Sequence, residues 1–196
     1  AASADEATGV AVANANIGGI FTPAGIYQQA IGSTVTLNNT GSLSFVADAT
    51  ATGGGVAVAN ALVDAVDQVA TGTTAAVNFI NSGSFLADAR AQAAGDVAVA
   101  DVTVRGVDQF ANGTNATALF SNAGSFTAAA AATANGGDVA VAIAGAIGVD
   151  QTLSGAVEAA SFDGVTAGLR VNASVHAPLL CVVDVFDVAS GDRREV

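Results

Sequence analysis

The chain has 196 residues, of which 17 are acidic and five are arginine with no lysine, for a formal charge of −12. Nucleic acid and anionic membrane surfaces are disfavoured as partners, since either would have to overcome that general repulsion. Ala, Gly and Val dominate, with nine Phe, one Tyr and no Trp or Met, so a core must come from many repeated close contacts between small side chains, at about 25 cal/mol per Å² of apolar surface buried.

In chain order, residues 1–8 read as a lead-in. The sequence opens at Ala1 without an initiator methionine or signal peptide, as an excised or processed piece would. From residue 9 the chain repeats itself. A Val-Ala-Val-Ala stretch starts at Val10, Val56, Val97 and Val139, at spacings of 46, 41 and 42 residues. A box recurs behind it as Gly25-Ile26-Tyr27-Gln28, Val66-Asp67-Gln68, Val107-Asp108-Gln109 and Val149-Asp150-Gln151, each Gln followed four residues later by a glycine. A third box reads Asn39-Thr40-Gly41-Ser42, Asn81-Ser82-Gly83-Ser84 and Asn122-Ala123-Gly124-Ser125.

After the third box the pattern has period two, which specifies strand. Phe45, Ala47, Ala49 and Ala51 share one parity, as do Phe85 to Ala91 and Phe126 to Ala132 in steps of two, with Asp48, Thr50, Asp88, Arg90, Gln92 and Thr133 on the other. Alanine favours helix by propensity, but the alternation and the Gly-rich breaks at 53–55 and 136–137 outweigh it. In the Val-Ala-Val-Ala stretch the alanine parity stays apolar and is placed inside. Val56, Val58, Val97, Val99, Val139 and Val141 then form an outward stripe. A third, shorter strand precedes the Asn box, as in Val77, Phe79 and Asn81, or Ala118, Phe120 and Asn122.

Each period thus supplies two long strands and one short one, and like strands one period apart stack in parallel about 4.8 Å apart. The expected fold is all-β, a right-handed parallel β-helix (β-solenoid) with wide, flat coils and a period of about 41 residues, running over residues 9–177. Leu169, Val171, Ala173, Val175 and Ala177 begin a further coil. Pro178 interrupts it, and residues 178–196, which lack the Gln box, read as a C-terminal cap or frayed tail.

The box with an apolar residue two before the Asn and an alternating run after it, carried by Leu37-Asn38-Asn39-Thr40-Gly41-Ser42, Phe79 to Phe85 and Phe120 to Phe126, resembles the repeats of filamentous-haemagglutinin-like proteins and autotransporter passenger domains. The resemblance covers residues 9 to about 177. It implies a right-handed β-helix used as a surface stalk or adhesin, extracellular or at a bacterial cell surface. The 41-residue beat is longer than that family's usual repeat, so two readings stand: one wide coil per period, or two narrow ones.

Asn39, Asn81 and Asn122, and Gln28, Gln68, Gln109 and Gln151, read as hydrogen-bonding ladders at turns, because a side-chain amide both donates and accepts. Asp67, Asp108 and Asp150 would stack as an acidic edge that calcium could relieve; the solvated edge is preferred, and no cofactor or metal is assigned. The one imidazole, His176, and the one thiol, Cys181, lie in no motif. Carboxylate pairs such as Asp88 with Asp101 or Asp108 recur with the repeat and mark architecture rather than a singular catalytic centre, so no enzymatic activity is expected. The functional expectation is a structural or adhesive repeat segment that self-associates laterally or end to end, or meets a host or matrix surface ligand. A carbohydrate-binding or carbohydrate-cleaving β-helix is the alternative. An ice-binding solenoid ranks third, because Thr34 and Thr36 do not recur as an array.

Overall fold

The structure, a computed structural model, describes residues 1–18 and 24–155 in full, and beyond them the strand backbones 157–164, 167–176, 180–188 and 192–194. The described residues are all-β, with no helix among them. Among the described residues fourteen strands follow one another: β1 (Ala2–Glu6), β2 (Val10–Ile17), β3 (Ile26–Ile31), β4 (Thr34–Asn39), β5 (Ser42–Gly53), β6 (Val56–Thr71), β7 (Thr74–Asn81), β8 (Ser84–Asn112), β9 (Asn115–Asn122), β10 (Ser125–Ser154), β11 (Val157–Gly164), β12 (Ala167–His176), β13 (Leu180–Val188) and β14 (Asp192–Arg194).

Every pairing between them is parallel, and partners lie one sequence repeat apart. Val10 pairs with Val56, Val56 with Val97 and Val97 with Val139. The Phe and Ala parity stacks likewise, Ala47 on Ala89 and Ala89 on Ala130. The short strands form a separate four-stranded sheet in the order β11-β9-β7-β4. This arrangement is compatible with a β-solenoid. Each layer has four sides: a first arm bearing Phe and Ala, a second arm bearing Val and Ala, a third bearing the Gln box, and the short strand that ends at Asn.

Burial follows the alternation. Ala57, Ala59, Ala98, Ala100, Ala140 and Ala142 are wholly buried on the second arm, as are Ala87 and Ala89 on the first. Alanine occupies these positions because the first and second arms share one core too thin for larger side chains. Bulk enters at one end of that core. Phe79 and Phe120 stack with centroids 5.4 Å apart, Phe85 and Phe126 at 4.6 Å, and the two stacks meet edge to face, Phe79 with Phe85 at 5.6 Å and Phe120 with Phe126 at 5.2 Å. Such edge and offset geometries suit the ring quadrupole.

The structure refines the sequence reading in three places within the repeat. The glycines between first and second arms do not always break the strand: β8 and β10 run continuously through Gly95 and Gly136, with a register irregularity at Gly136/Val139. Pairing to neighbouring layers continues around the corner, so the chain bends without leaving its ladder. The corner between second and third arms was not anticipated. There two successive residues are buried, Ala65 and Val66, Gly106 and Val107, Gly148 and Val149, and the inward parity switches. At this corner a Cβ on Gly106 would overlap the Gly148 carbonyl oxygen of the next layer and come within 2.9 Å of Phe126 Cζ, so glycine leaves room for both. Asp88, assigned to the polar outward parity, is only 5% exposed. It lies between Val46 and Ala129 of the adjacent layers and under its ion-pair partner Arg90.

Strands pair at both ends of the chain. In the lead-in, β1 pairs with β5 from Ala2 on Ala49 to Glu6 on Gly53. Leu180 to Val188 pair with Val139 to Ile147, and Asp192 to Arg194 with Gln151 to Leu153. The missing Gln box did not prevent strand addition, because parallel pairing needs only the backbone and a β-forming run such as Leu180 to Val188.

Candidate functional site

Three columns of side chains run along the stack, and each is a consequence of parallel register placing like on like.

The first is the glutamine column. Gln68 and Gln109 are wholly buried, and Gln151 is 6% exposed. Gln68 Nε2 donates to Gln28 Oε1 at 2.9 Å, Gln109 Nε2 to Gln68 Oε1 at 2.8 Å and Gln151 Nε2 to Gln109 Oε1 at 2.8 Å. The second amide proton crosses the core within a layer, from Gln68 to the Asn78 carbonyl at 3.0 Å and from Gln109 to that of Leu119 at 3.1 Å. Gln68 and Gln109 therefore each tie their layer to the one before and the third arm to the short strand. These residues sit on strands past the second corner, not in turns as the sequence suggested.

The second is the asparagine column, whose donors point the other way along the stack. Asn39 Nδ2 donates to Asn81 Oδ1 at 2.7 Å, and Asn81 Nδ2 to Asn122 Oδ1 at 2.6 Å. Their other protons reach forward across the turn to the carbonyls of Ser84 at 2.8 Å and Ser125 at 2.9 Å. The two amide columns thus carry opposed dipoles. Buried amides are expensive unless saturated, and here the repeat itself supplies the partner.

The third is acidic and faces outward. Tyr27, Asp67, Asp108 and Asp150 stack in register, and Asp64 pairs with Arg105 one column away. Arg105 Nη1 stands 4.0 Å from Asp108 Oδ2, with half of the Arg105 side chain and a third of that of Asp108 exposed. Burial, with Asp67 and Asp150 above and below it, pushes the Asp108 carboxyl up to about 6, against the opposing pull of Arg105. Burial raises Asp64 and Asp67 as well, and Asp64 adds to the rise at Asp67. Asp64 Oδ1 is enclosed without a hydrogen-bond partner. The convergence of Asp64 and Arg105 on this edge follows from alignment of the repeats, in which both lie outside the Asp-Gln box. Among the described residues, no three His, Cys, Asp or Glu side chains are grouped to hold a metal ion.

The valines of the stripe lie outward. Val10 and Val12 are 60% and 47% exposed, and Val56, Val58, Val97, Val99, Val139 and Val141 are half-buried by their column neighbours. Thr34 and Thr36 stack on Ala76 and Asn78 rather than on further threonines. A shallow groove of about 480 Å³ follows the glycine turns, lined by Thr71, Thr73, Asn112, Thr114 and Ser154. The backbones of β12 and β13 place His176 beside Asn135 and Cys181 beside Ala140; their side chains lie outside the described residues. Among the described residues no helix is long and apolar enough to cross a membrane.

The columns and the all-parallel pairing define a repeat protein of stacked parallel β-strands. No family model matches the chain, and comparison with curated proteins and with solved structures gives no match.

Proposed function

We propose that this chain is a non-enzymatic structural or adhesive segment of a secreted or bacterial cell-surface protein, built as a right-handed β-solenoid in which each repeat of about 41 residues forms one wide, flat coil. The wide-coil reading is supported by direct pairing of Val56 with Val97 and of Val97 with Val139. Two narrow coils per period would instead pair residues half a repeat apart.

The observation that carries the functional reading is the continuity of the amide columns. Gln28, Gln68, Gln109 and Gln151 form one unbroken chain of hydrogen bonds, and Asn39, Asn81 and Asn122 another. A catalytic centre needs a singular constellation with distinct roles for its members. Here the polar residues repeat layer after layer in one role, which is to join layers. Such a stack transmits force along its axis and presents the same surface at regular intervals, as a stalk or adhesin requires.

The test is adhesion of the immobilised protein to cells and matrix glycoproteins, alongside screening for turnover of acidic and neutral polysaccharides. Attachment without turnover supports the reading. Turnover that disappears when one carboxylate is changed would overturn it. A carbohydrate-binding function is favoured by one feature, the groove of hydroxyl and amide side chains along the glycine turns. Binding on a glycan array, lost when Thr73 and Thr114 become Val, would establish that alternative.

A further inference from the structure

The outward side of the second arm is an apolar sheet face with nothing packed on it among the described residues. Val10, Val56, Val97 and Val139 make one column, and Val12, Val58, Val99 and Val141 the next. On β10 the apolar run continues outward through Ile143 and Ile147, whereas the same positions hold Asn60 and Asp64 on β6 and Asp101 and Arg105 on β8. Soluble proteins seldom leave a continuous apolar patch of this kind uncovered.

We propose that this face is covered by the same face of a second copy of the chain, related by a two-fold axis that runs along the strands between β6 and β8. The axis follows from the columns. Rotation about it lays β6 of one copy over β8 of the other, and β2 over β10, keeping each column over itself. Val56 and Val58 then meet Val97 and Val99 of the second copy, and Val10 and Val12 meet Val139 and Val141. Asn60 faces Asp101, an amide donor opposite a carboxylate. Asp64 faces Arg105, whose half-exposed guanidinium stands 4.0 Å from its own Asp108 and in register with its own Asp64, so carboxylates of both copies meet it there. The competing axis, along the stack, would set Asp101 against its own copy and Arg105 against valine.

The area suffices. Nine residues at ~3.3 Å along the strand and four layers at ~4.8 Å cover roughly 550 Å² on each copy. The two sides together bury about 1,100 Å², slightly above the ~1,000 Å² that a specific interface needs. Two sheets packed this way lie ~10 Å apart with strands nearly aligned. The inference rests on the stacked sheet alone, so it stands or falls separately from any role at a cell surface.

Sedimentation of the full chain across the micromolar range is the first measurement, and a dimer is expected. Val99→Asp with Val141→Asp should give a monomer with unchanged circular dichroism and urea midpoint. Arg105→Glu should weaken the dimer at least tenfold, and adding Asp64→Arg to it should restore most of the affinity. To test the axis, chains carrying Val58→Cys or Val99→Cys in a Cys181→Ser background are mixed and oxidised. The mixed disulfide should form faster than either symmetric one. A wild-type monomer at every concentration overturns the proposal, and that is also the result expected if a segment of the same chain covers the face. A dimer that survives the double Asp substitution overturns it too. Symmetric Val58-to-Val58 linkage at an equal rate would refute the axis.

Discussion

Gln109 Nε2 lies 2.8 Å from Gln68 Oε1, both side chains wholly buried and one repeat apart in sequence. Replacing Gln109 by the near-isosteric Met removes at once its hydrogen bonds to the Gln68 oxygen and the Leu119 carbonyl and the one it accepts from the Gln151 amide. Leaving buried polar groups unpaired costs about 1–3 kcal/mol each, partly recovered by relaxation, so a loss on the order of 3 kcal/mol is expected. Urea denaturation of Gln109→Met, Gln68→Met and the double variant would measure it. The double variant should lose less than the sum, because the two share one hydrogen bond.

The alanine core gives a second expectation. Ala89 and Ala100 are wholly buried, whereas Ala131 faces outward beside Arg90. Ala89→Leu or Ala100→Leu should destabilise by about 1–3 kcal/mol through overpacking, and Ala131→Leu by no more than about 0.5 kcal/mol. Equal effects at the three sites would mean that the core is not as thin as the packing implies.

Two glycines at equivalent turns should behave differently. A Cβ at Gly83 would overlap the carbonyl oxygen of Gly41 in the neighbouring layer, while a Cβ at Gly41 would meet nothing within 4 Å. Gly83→Ala should therefore lower the thermal midpoint by several degrees, and Gly41→Ala should leave it nearly unchanged. The asymmetry arises because Gly83 stacks on a layer at its N-terminal side and Gly41 does not.

The acidic column predicts how stability varies with pH. Asp108 has a folded pKa raised from 3.8 to about 6, so between those values the folded protein holds more protons than the unfolded one. Stability should accordingly fall as pH rises from about 4 to about 6, and level off above that. Asp108→Asn should raise the melting temperature at pH 7, with a gain on the order of 1–2 kcal/mol given that a third of the side chain is solvated. Melting curves at pH 4.5, 5.5 and 7 would show a flatter profile for the variant. Some slope should remain, because Asp64 and Asp67 are shifted in the same direction.

The parallel stack and its inward face were legible in the sequence by itself. A repeated Val-Ala-Val-Ala stretch and a period-two Phe and Ala run leave one economical arrangement, strands laid on their own copies with alanine inside, and Asn and Gln recurring at one beat point to amide columns. Tertiary structure alone decided the corners. At Ala65-Val66 and Gly106-Val107 the inward parity switches, because the chain turns from one side of the core to the next while its pairing to adjacent layers continues. That switch carries the glutamines inside, and it gathers Asp64, Asp67, Asp108 and Arg105 on one outer edge. The fate of residues 180–188 was hidden for a related reason. They carry none of the repeat's marker residues, and only the open backbone edge of Val139 to Ile147 determined where they would pair.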